Sequence, residues 1–348
     1  MPGARGAAAV DPRVDTANRT LLGLLGASLL VGGLTFCAVA GVLAGLVGGR
    51  VAEHGVGAFA SDAPGTWLAL AFIAVVAAGG VAAARSIRRQ LVASVALARR
   101  VRALAVPPTR EVTDAAARVG LGGRVAVLDA GERFSFAYGL LTPRVVISRG
   151  LLEAAGTDEV DAVLEHERYH VRNLDPLKVL IARALPAGLF YLPAIGSLER
   201  RYVAARELAA DRQALDACGR RPLAGALYKV LSGPSWPELR AAAAIGGNEL
   251  LDVRLEQLET GREPAVARPS TRVVTASLLG AALMAALFAA AIATLGGSAA
   301  FTEVTGEPLT PLTLAGPVVC ALPVAAGGWL GYRWLVRRAR RPLDRRAH

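Results

Sequence analysis

Two histidines and a glutamate, in the run His166-Glu167-Arg168-Tyr169-His170, are the residues best placed to do chemistry. Histidines at positions i and i+4 of an α-helix lie on one face, so both imidazoles can reach one Zn²⁺ at about 2.0–2.1 Å. The glutamate between them lies beside the metal, where it can deprotonate a bound water. The chain has four histidines, and the other two, His54 and His348, lie in a predicted outer loop and at the terminus. The pattern predicts a hydrolytic zinc site rather than a pair of exposed helix histidines.

A catalytic zinc site needs a third protein ligand and one open position for water. Downstream, residues 198–217 are strongly helical, and Glu207 and Asp211 share one face of that helix. We expect Glu207 to be the third ligand and Asp211 to orient a ligand histidine. Asp175, just past the histidine helix, is a second candidate for the orienting role. The alternative is a solvated helix face whose acids pair with neighbouring arginines.

The elements that must position these residues lie in region 85–272, which we predict to be a mixed helix and strand domain. Alternation and β-branched residues predict strands, and the histidine motif then falls on a helix that ends near Asn173. Thr157 is in position to cap that helix. The predicted strands are 124–129, 133–138 and 143–148, and the helices before them are 86–104 and 110–119.

Four apolar blocks are long enough to cross a hydrocarbon core, which takes about 20 residues. They are residues 20–48, 66–84, 273–298 and 312–336. Charged residues make up 19% of the chain and hydrophobic residues 53%, whereas soluble domains carry about 25% charge. The first block exceeds the core of a signal peptide, about 7–15 residues, so we expect a retained span. These features exclude an all-soluble enzyme.

The arginines indicate the orientation of the spans, because basic flanks stay in the cytoplasm. Arginines cluster before the first block, after the second and after the fourth, while the loops 49–65 and 299–311 contain one, Arg50. The same clusters account for the net charge of +11, so we expect no direct nucleic-acid partner. The composition is typical of a bacterium with a GC-rich genome. We therefore expect the membrane that holds the apolar blocks to be the bacterial inner membrane. The predicted organisation is a tail and two spans (1–84), a cytoplasmic zinc metallopeptidase domain (85–272), two spans (273–336) and a basic cytoplasmic tail (337–348).

Residues 179–198 are apolar enough to suggest a fifth crossing. A single pass would leave Glu207 on the opposite side of the membrane from His166 and His170. Arg183 also interrupts the segment. We therefore predict a membrane-associated hairpin that keeps the zinc site near the bilayer surface.

From Phe134 to Leu215 the chain resembles the integral-membrane zinc metallopeptidases of the BlaR/MecR type, the β-lactam-sensor antirepressors. The matching pieces are Phe136-Ala137-Tyr138-Gly139, Thr142-Pro143-Arg144-Val145-Val146-Ile147, Arg149-Gly150-Leu151-Leu152, the histidine motif, Asp175-Pro176, Arg206-Glu207-Leu208-Ala209-Ala210-Asp211, Tyr228-Lys229-Val230-Leu231 and Arg254-Leu255-Glu256-Gln257-Leu258. The HtpX-type membrane proteases and the prenyl-protein endopeptidases share the same core. The 36 residues between His170 and Glu207 favour the antirepressor group, since they leave no room for a second pair of full spans.

The resemblance implies an α-helical membrane protein with a cytoplasmic α+β zincin-like metalloprotease domain. It implies one Zn²⁺ per chain on His166, His170 and Glu207, with Glu167 as the catalytic base. It also implies that the strand Phe134-Ser135-Phe136-Ala137-Tyr138 pairs with an extended protein or peptide substrate. The chain ends in a short basic tail where the β-lactam sensors have an outer penicillin-binding domain, so we do not expect direct β-lactam sensing.

Three functions follow from this resemblance. A regulatory zinc metalloendopeptidase that cleaves a transcriptional repressor is the first. An HtpX-like quality-control protease of membrane proteins is the second, and a non-enzymatic membrane sensor or scaffold is the third. All three would contact membrane lipid.

Overall fold

The fold is mostly helical, with one small sheet. A computed structural model describes residues 16–47, 55, 64–232, 247–262, 264 and 269–294. Ten helices are defined in these ranges: α1 Thr16–Ala44, α2 Pro64–Leu104, α3 Arg110–Arg118, α4 Arg149–Ala154, α5 Thr157–Asn173, α6 Asp175–Gly188, α7 Pro193–Cys218, α8 Arg220–Ser232, α9 Gly247–Thr260 and α10 Thr271–Thr294. The four strands are β1 Ala105–Val106, β2 Val125–Leu128, β3 Ser135–Tyr138 and β4 Arg144–Ser148.

Three of the helices are long and apolar enough to cross a membrane. They comprise Thr16–Val47, the start of α2 from Thr66, and Thr271–Ala293, each with a mean hydropathy of 2.2 in its most apolar window. Little of each window is buried inside the protein, as expected for surfaces that face lipid. A cluster around Val42, Phe72 and Ala291 packs these three helices together. As far as the description reaches, to residues 47 and 294, the predicted spans 20–48, 66–84 and 273–298 are confirmed as apolar helices. The predicted span 312–336 lies outside the described residues.

The second span and the basic helix predicted after it form one continuous helix. α2 has 41 residues, which corresponds to about 60 Å at 1.5 Å per residue. A hydrocarbon core is about 30 Å thick, so half of α2 extends beyond it. That second half packs on the sheet, where Val101 contacts a cluster with Phe134, Tyr138 and Val146. α2 thus connects an apolar span directly to the domain that carries the histidine motif.

The sheet has the strand order β1-β2-β4-β3. β2 and β4 are parallel, while β3 is antiparallel to β4, with Phe136 opposite Val146. The three strands predicted from the sequence are confirmed to within two residues, and the two-residue β1 was not predicted. β3 has a neighbour on one side only, so its other edge is free within the described structure.

The segment 179–198 comprises the end of α6, a short turn and the start of α7. α6 ends at Gly188, and α7 begins at Pro193 and continues to Cys218. Arg183 of α6 lies 4.0 Å from Glu199 of α7, so the chain reverses direction and the two ends of the segment lie on the same side, as the hairpin prediction requires. Its entry into the bilayer remains a prediction.

The close contact of α2 with α6 generates a stability prediction. A methyl group on Gly79 would lie 2.4 Å from the carbonyl oxygen of Gly188, whereas one on its neighbour Gly80 would meet nothing within 4 Å. We expect Gly79→Ala to destabilise the protein by about 1–3 kcal/mol, the usual cost of overpacking. Gly80→Ala should be neutral or stabilising by up to about 1 kcal/mol, because alanine is the better helix former.

Thermal unfolding of both variants in the same detergent measures this difference. The pair isolates packing because both changes are glycine to alanine on adjacent positions of one helix. Equal unfolding temperatures for the two variants would contradict the observed helix contact.

Candidate metal centre

The histidine motif lies in the C-terminal half of α5, which packs on the sheet through one face. Leu164 and Val160 lie in a core cluster with Val145 of β4. The first turn of α5 is closed by Glu159, whose carboxylate accepts a 2.7 Å hydrogen bond from the backbone N–H of Gly156. Gly156 is the N-cap, and Thr157 is the first helical residue, so the predicted Thr157 cap is off by one position. The opposite face of α5 presents the two histidines to α7.

A sharp turn at the end of α5 brings Asp175 back to His170. Leu174 connects α5 to α6 with φ 54° and ψ 39°, and it is the one non-glycine residue with positive φ in the described structure. This left-handed conformation costs an L-residue on the order of 1 kcal/mol. It places the Asp175 carboxylate 2.7 Å from Nδ1 of His170, with both side chains buried. The turn therefore holds His170 with its Nε2 directed away from Asp175.

α7 supplies the acidic partners of His166. Asp211 has an oxygen 2.8 Å from Nδ1 of His166, and its side chain is 1% exposed. One turn earlier on the same face, the Glu207 carboxylate lies 3.5 Å from Nε2 of His166. Each imidazole thus has its Nδ1 beside a carboxylate and its Nε2 directed toward a common point. Such carboxylate contacts fix the tautomer and the ring orientation of metal-binding histidines.

The three donor groups have the spacing of a zinc site. The two Nε2 atoms are 3.2 Å apart, and a Glu207 oxygen is 3.9 Å from Nε2 of His170. Two ligands at 2.0–2.1 Å in a tetrahedron are separated by about 3.3 Å. The separation of the two Nε2 atoms is close to this distance, whereas the Glu207 oxygen lies farther from His170. Ligand atoms of His166, His170 and Glu207 all lie within 4.8 Å of one another. The donor set of two imidazoles and a carboxylate is one that catalytic zinc sites use, so these residues fit the ion.

The buried charges around these donors are strongly coupled. Burial alone would lower the pKa of His166, but its contacts with Asp211 and Glu207 raise that pKa to about 10. Burial alone would raise the pKa of Glu207, yet the cation of Arg206 and the two histidines hold it well below its usual range. The carboxylates around these donors therefore favour a positive charge at this position, which a proton or a metal ion can supply.

Glu167 faces the same cavity as the donors. Its side chain is buried, and its Oε2 has no hydrogen-bond partner in the described part of the chain. The cavity has a volume of about 730 Å³ and is lined by residues of α2, β3, α5, α6, α7, α8 and α9. A buried carboxylate oxygen without a partner is costly unless it serves a ligand or a water. Glu167 is thus available to hold a water molecule beside the donor cluster.

The predicted substrate strand forms one wall of this cavity. Ser135, Phe136, Ala137 and Tyr138 line it, whereas Phe134 is buried in the core at 2% exposure and does not. The backbone N–H of Ser148 donates to the carbonyl of Phe134 at 3.0 Å. Antiparallel pairs alternate between bonded and non-bonded positions, so the main-chain groups of Ser135 and Ala137 are directed to the free edge. These groups are available to an extended chain in the cavity.

A family model described as BlaR1 peptidase M56 matches residues 59–258, more than half of the 348 residues. The chain belongs to the BlaR1 peptidase M56 family. No curated protein and no solved structure matches the chain. The resemblance to the BlaR/MecR type is confirmed, and as a family member the chain is a membrane-associated metallopeptidase.

Two features of the M56 site were not predicted from the sequence. Arg254 of α9 donates to both oxygens of Asp211, although it is 43 residues away in sequence. The sequence indicated Arg254 only as part of a helical element, and no spacing rule connects it to Asp211. The left-handed turn at Leu174 carries no glycine or asparagine signal. Asp175 itself was predictable, because it directly follows the motif helix.

The donor geometry predicts which glutamate of α7 the metal requires. We expect Glu207→Gln to lower the zinc content of the purified protein to a small fraction of wild type, because a neutral amide is a poor zinc ligand. Glu199→Gln is the matched control on the same helix. Burial raises the pKa of Glu199 despite nearby arginines, so a neutral side chain is tolerated there.

The zinc content of both variants is measured by mass spectrometry after dialysis. Wild-type zinc content in Glu207→Gln would contradict this ligand assignment. Equal loss in Glu199→Gln would show that the effect is a general disruption of α7.

Proposed function

We propose that this chain is an integral-membrane zinc metalloendopeptidase that hydrolyses peptide bonds at the cytoplasmic face of the inner membrane. One observation carries the proposal. His166, His170 and Glu207 converge with zinc spacing beside the buried, partly unpartnered carboxylate of Glu167. Family membership supports the peptidase chemistry. In this proposal His166, His170 and Glu207 hold one Zn²⁺, and Asp211 and Asp175 orient the histidines.

The mechanism divides the chemistry between the ion and the protein. When bound, zinc supplies a Lewis acid that polarises a carbonyl and makes a water molecule more acidic. Glu167 accepts the proton of the attacking water and then delivers it to the leaving amine, so it acts as base and as acid in turn. The carboxylates of Asp175 and Asp211 hold the two imidazoles in their positions during this exchange.

Substrate recognition is assigned to the free edge of β3. An extended peptide can pair with the main-chain groups of Ser135 and Ala137, because strand addition to an exposed edge uses backbone hydrogen bonds. Such pairing is independent of side-chain identity and places the peptide along the wall next to the donor cluster. This part of the proposal rests on the edge position of β3 and on its place in the cavity lining.

The proposed substrate is a cytoplasmic transcriptional repressor. The BlaR1 family supports this choice, because the resemblance implies an antirepressor activity. The arginine clusters beside the apolar helices support a cytoplasmic zincin-like domain formed by region 85–272, in the organisation predicted from the sequence. Hydrolysis of the repressor would then release the genes that it controls.

The role of Glu167 predicts a variant that keeps the metal and loses the reaction. We expect Glu167→Gln to retain wild-type zinc content and to lower the rate of peptide hydrolysis at least about a hundredfold, the contribution of a general base. Glu165→Gln is the control on the same helix, since Glu165 contacts Arg168 and Gln213 and does not line the cavity. Retained hydrolysis by Glu167→Gln would refute the base assignment.

Two bacterial strains, one that expresses the wild-type protein and one that expresses Glu167→Gln, test the proposed substrate. We expect one DNA-binding protein to be cleaved in the wild-type strain and to remain intact in the Glu167→Gln strain. Quantitative mass spectrometry of protein N-termini identifies the fragment. Loss of many damaged membrane proteins instead would favour the quality-control function, and zinc-loaded protein that cleaves nothing would favour a scaffold.

The edge-strand assignment predicts a change in substrate affinity without loss of metal. We expect Ala137→Pro to raise KM about tenfold or more, because proline removes a backbone donor from the free edge. The sheet should persist, since proline is tolerated on edge strands where its nitrogen is not bonded to a neighbour. Zinc content and unfolding temperature are the controls. Unchanged KM would contradict pairing at this edge.

A further inference from the structure

Arg254 donates two hydrogen bonds to Asp211, one of the two carboxylates that contact the donor histidines. Its Nε lies 2.6 Å from one oxygen of Asp211, and its Nη2 lies 2.8 Å from the other. Two parallel N–H···O bonds to one carboxylate form the fork geometry that only an arginine can supply. Asp211 is fully buried, so no bulk water competes for these bonds. The carboxylate is therefore held in one orientation.

The same carboxylate lies at ion-pair distance from His166. The Oδ1 atom of Asp211 that accepts from Arg254 is also 2.8 Å from Nδ1 of His166. A rotation of the carboxylate would break the contact with His166 or the fork with Arg254. The position of the His166 ring thus depends on Arg254, although the arginine does not touch the ring.

We propose that Arg254 is a positioning residue of the metal site, which sets the affinity for zinc by fixing Asp211 and, through it, the imidazole of His166. The inference rests on the proposed role of His166 as a ligand. It assigns a function to α9, which supplies none of the three donors.

The pair is largely buried, unlike a surface ion pair, because the side chain of Asp211 is 1% exposed and that of Arg254 is 18% exposed. Burial alone would lower the pKa of Arg254, but the carboxylate of Asp211 raises it, so the guanidinium stays charged. Loss of one partner from such a buried pair leaves the other charge unpaired, and the side chain then reorganises. Reorganisation of Asp211 would release the nitrogen of His166 that it now holds.

A second contact of α9 provides a control. Gln257, one turn after Arg254, is buried and donates from Nε2 to the backbone carbonyl of Leu208 on α7 at 2.9 Å. This bond fastens the same two helices without a contact to Asp211. If Arg254 served only to attach α9, removal of Gln257 would affect the metal in the same way.

The test measures zinc affinity of the full-length protein in detergent by competition with a chromogenic chelator, with zinc alone as the probe. We expect Arg254→Gln to weaken zinc binding about tenfold, the low end of the range for outer partners of metal ligands. Arg254→Lys keeps the charge but not the fork, so a smaller loss is expected. Gln257→Ala should bind zinc within about twofold of wild type, even if it unfolds at a lower temperature.

The outcomes separate this inference from the proposed function. Wild-type affinity in both Arg254 variants would overturn it, and so would an equal loss of affinity in Gln257→Ala. If Arg254→Gln fails to fold, Arg254→Lys beside Gln257→Ala decides the question. A wild-type protein that binds no zinc would instead refute the proposed metalloendopeptidase. The absorption spectrum of the Co²⁺-loaded protein gives a second readout, which should change in Arg254→Gln and not in Gln257→Ala.

Discussion

The contact of a carboxylate with Nδ1 of each histidine is the interaction on which the site depends. An imidazole without such a contact rotates about χ2 and can present either nitrogen to a metal. Here Asp175 holds His170 and Asp211 holds His166, so both rings present Nε2 at a separation of 3.2 Å. The two carboxylates come from different helices, α6 and α7. The convergence of the donors therefore requires the packing of α5, α6 and α7 as a unit, and the left-handed turn at Leu174 is part of that requirement.

The balance of buried charge explains how the fold tolerates this cluster. Four carboxylates lie in or beside the cavity: Glu167, Asp175, Glu207 and Asp211. Basic side chains face them: Lys178 lies 4.0 Å from Asp175, Arg206 contacts Glu207 and Arg254 contacts Asp211. Arg100 and Arg183 also line the cavity. Because buried charges are costly unless paired, these cations stabilise the carboxylates within the fold. Burial alone would lower the pKa of His166, but its contacts with Asp211 and Glu207 raise that pKa, so the same carboxylates favour a cation at the point where the donors meet.

The parts of the fold that could be predicted are the helices and strands that have a signal in a short stretch of sequence. The three strands and the motif helix each have a signal within a short window, and each was predicted to within a few residues of its observed bounds. Three of the four apolar blocks coincide with apolar helices of the described structure, although the second belongs to a helix that continues to Leu104. The proposed ligand set was predicted from helical spacing within α5 and α7, together with the resemblance. Arg254 has no such signal, because its partner Asp211 lies on another helix and only tertiary packing brings them together. The order of the strands, which puts β3 at the edge, also depends on a parallel pairing of β2 with β4 that no local pattern indicates.

The continuity of α2 places the cavity close to the end of the predicted span. The predicted span ends near residue 84, and the side chains of α2 that line the cavity begin at Gln90 and end at Arg100. At 1.5 Å per residue, these positions lie about 9–24 Å beyond the end of the span along the helix axis. Gln90 also donates to the carbonyl of Leu180 on α6, which fixes α2 to the hairpin beside the cavity. A helix without a break transmits its position rigidly, so the bilayer that holds the apolar half of α2 also sets the height of the cavity. A substrate must therefore reach the cavity within a few tens of ångströms of the lipid headgroups, which suits a soluble protein recruited to the membrane surface or the end of a membrane protein that projects from it.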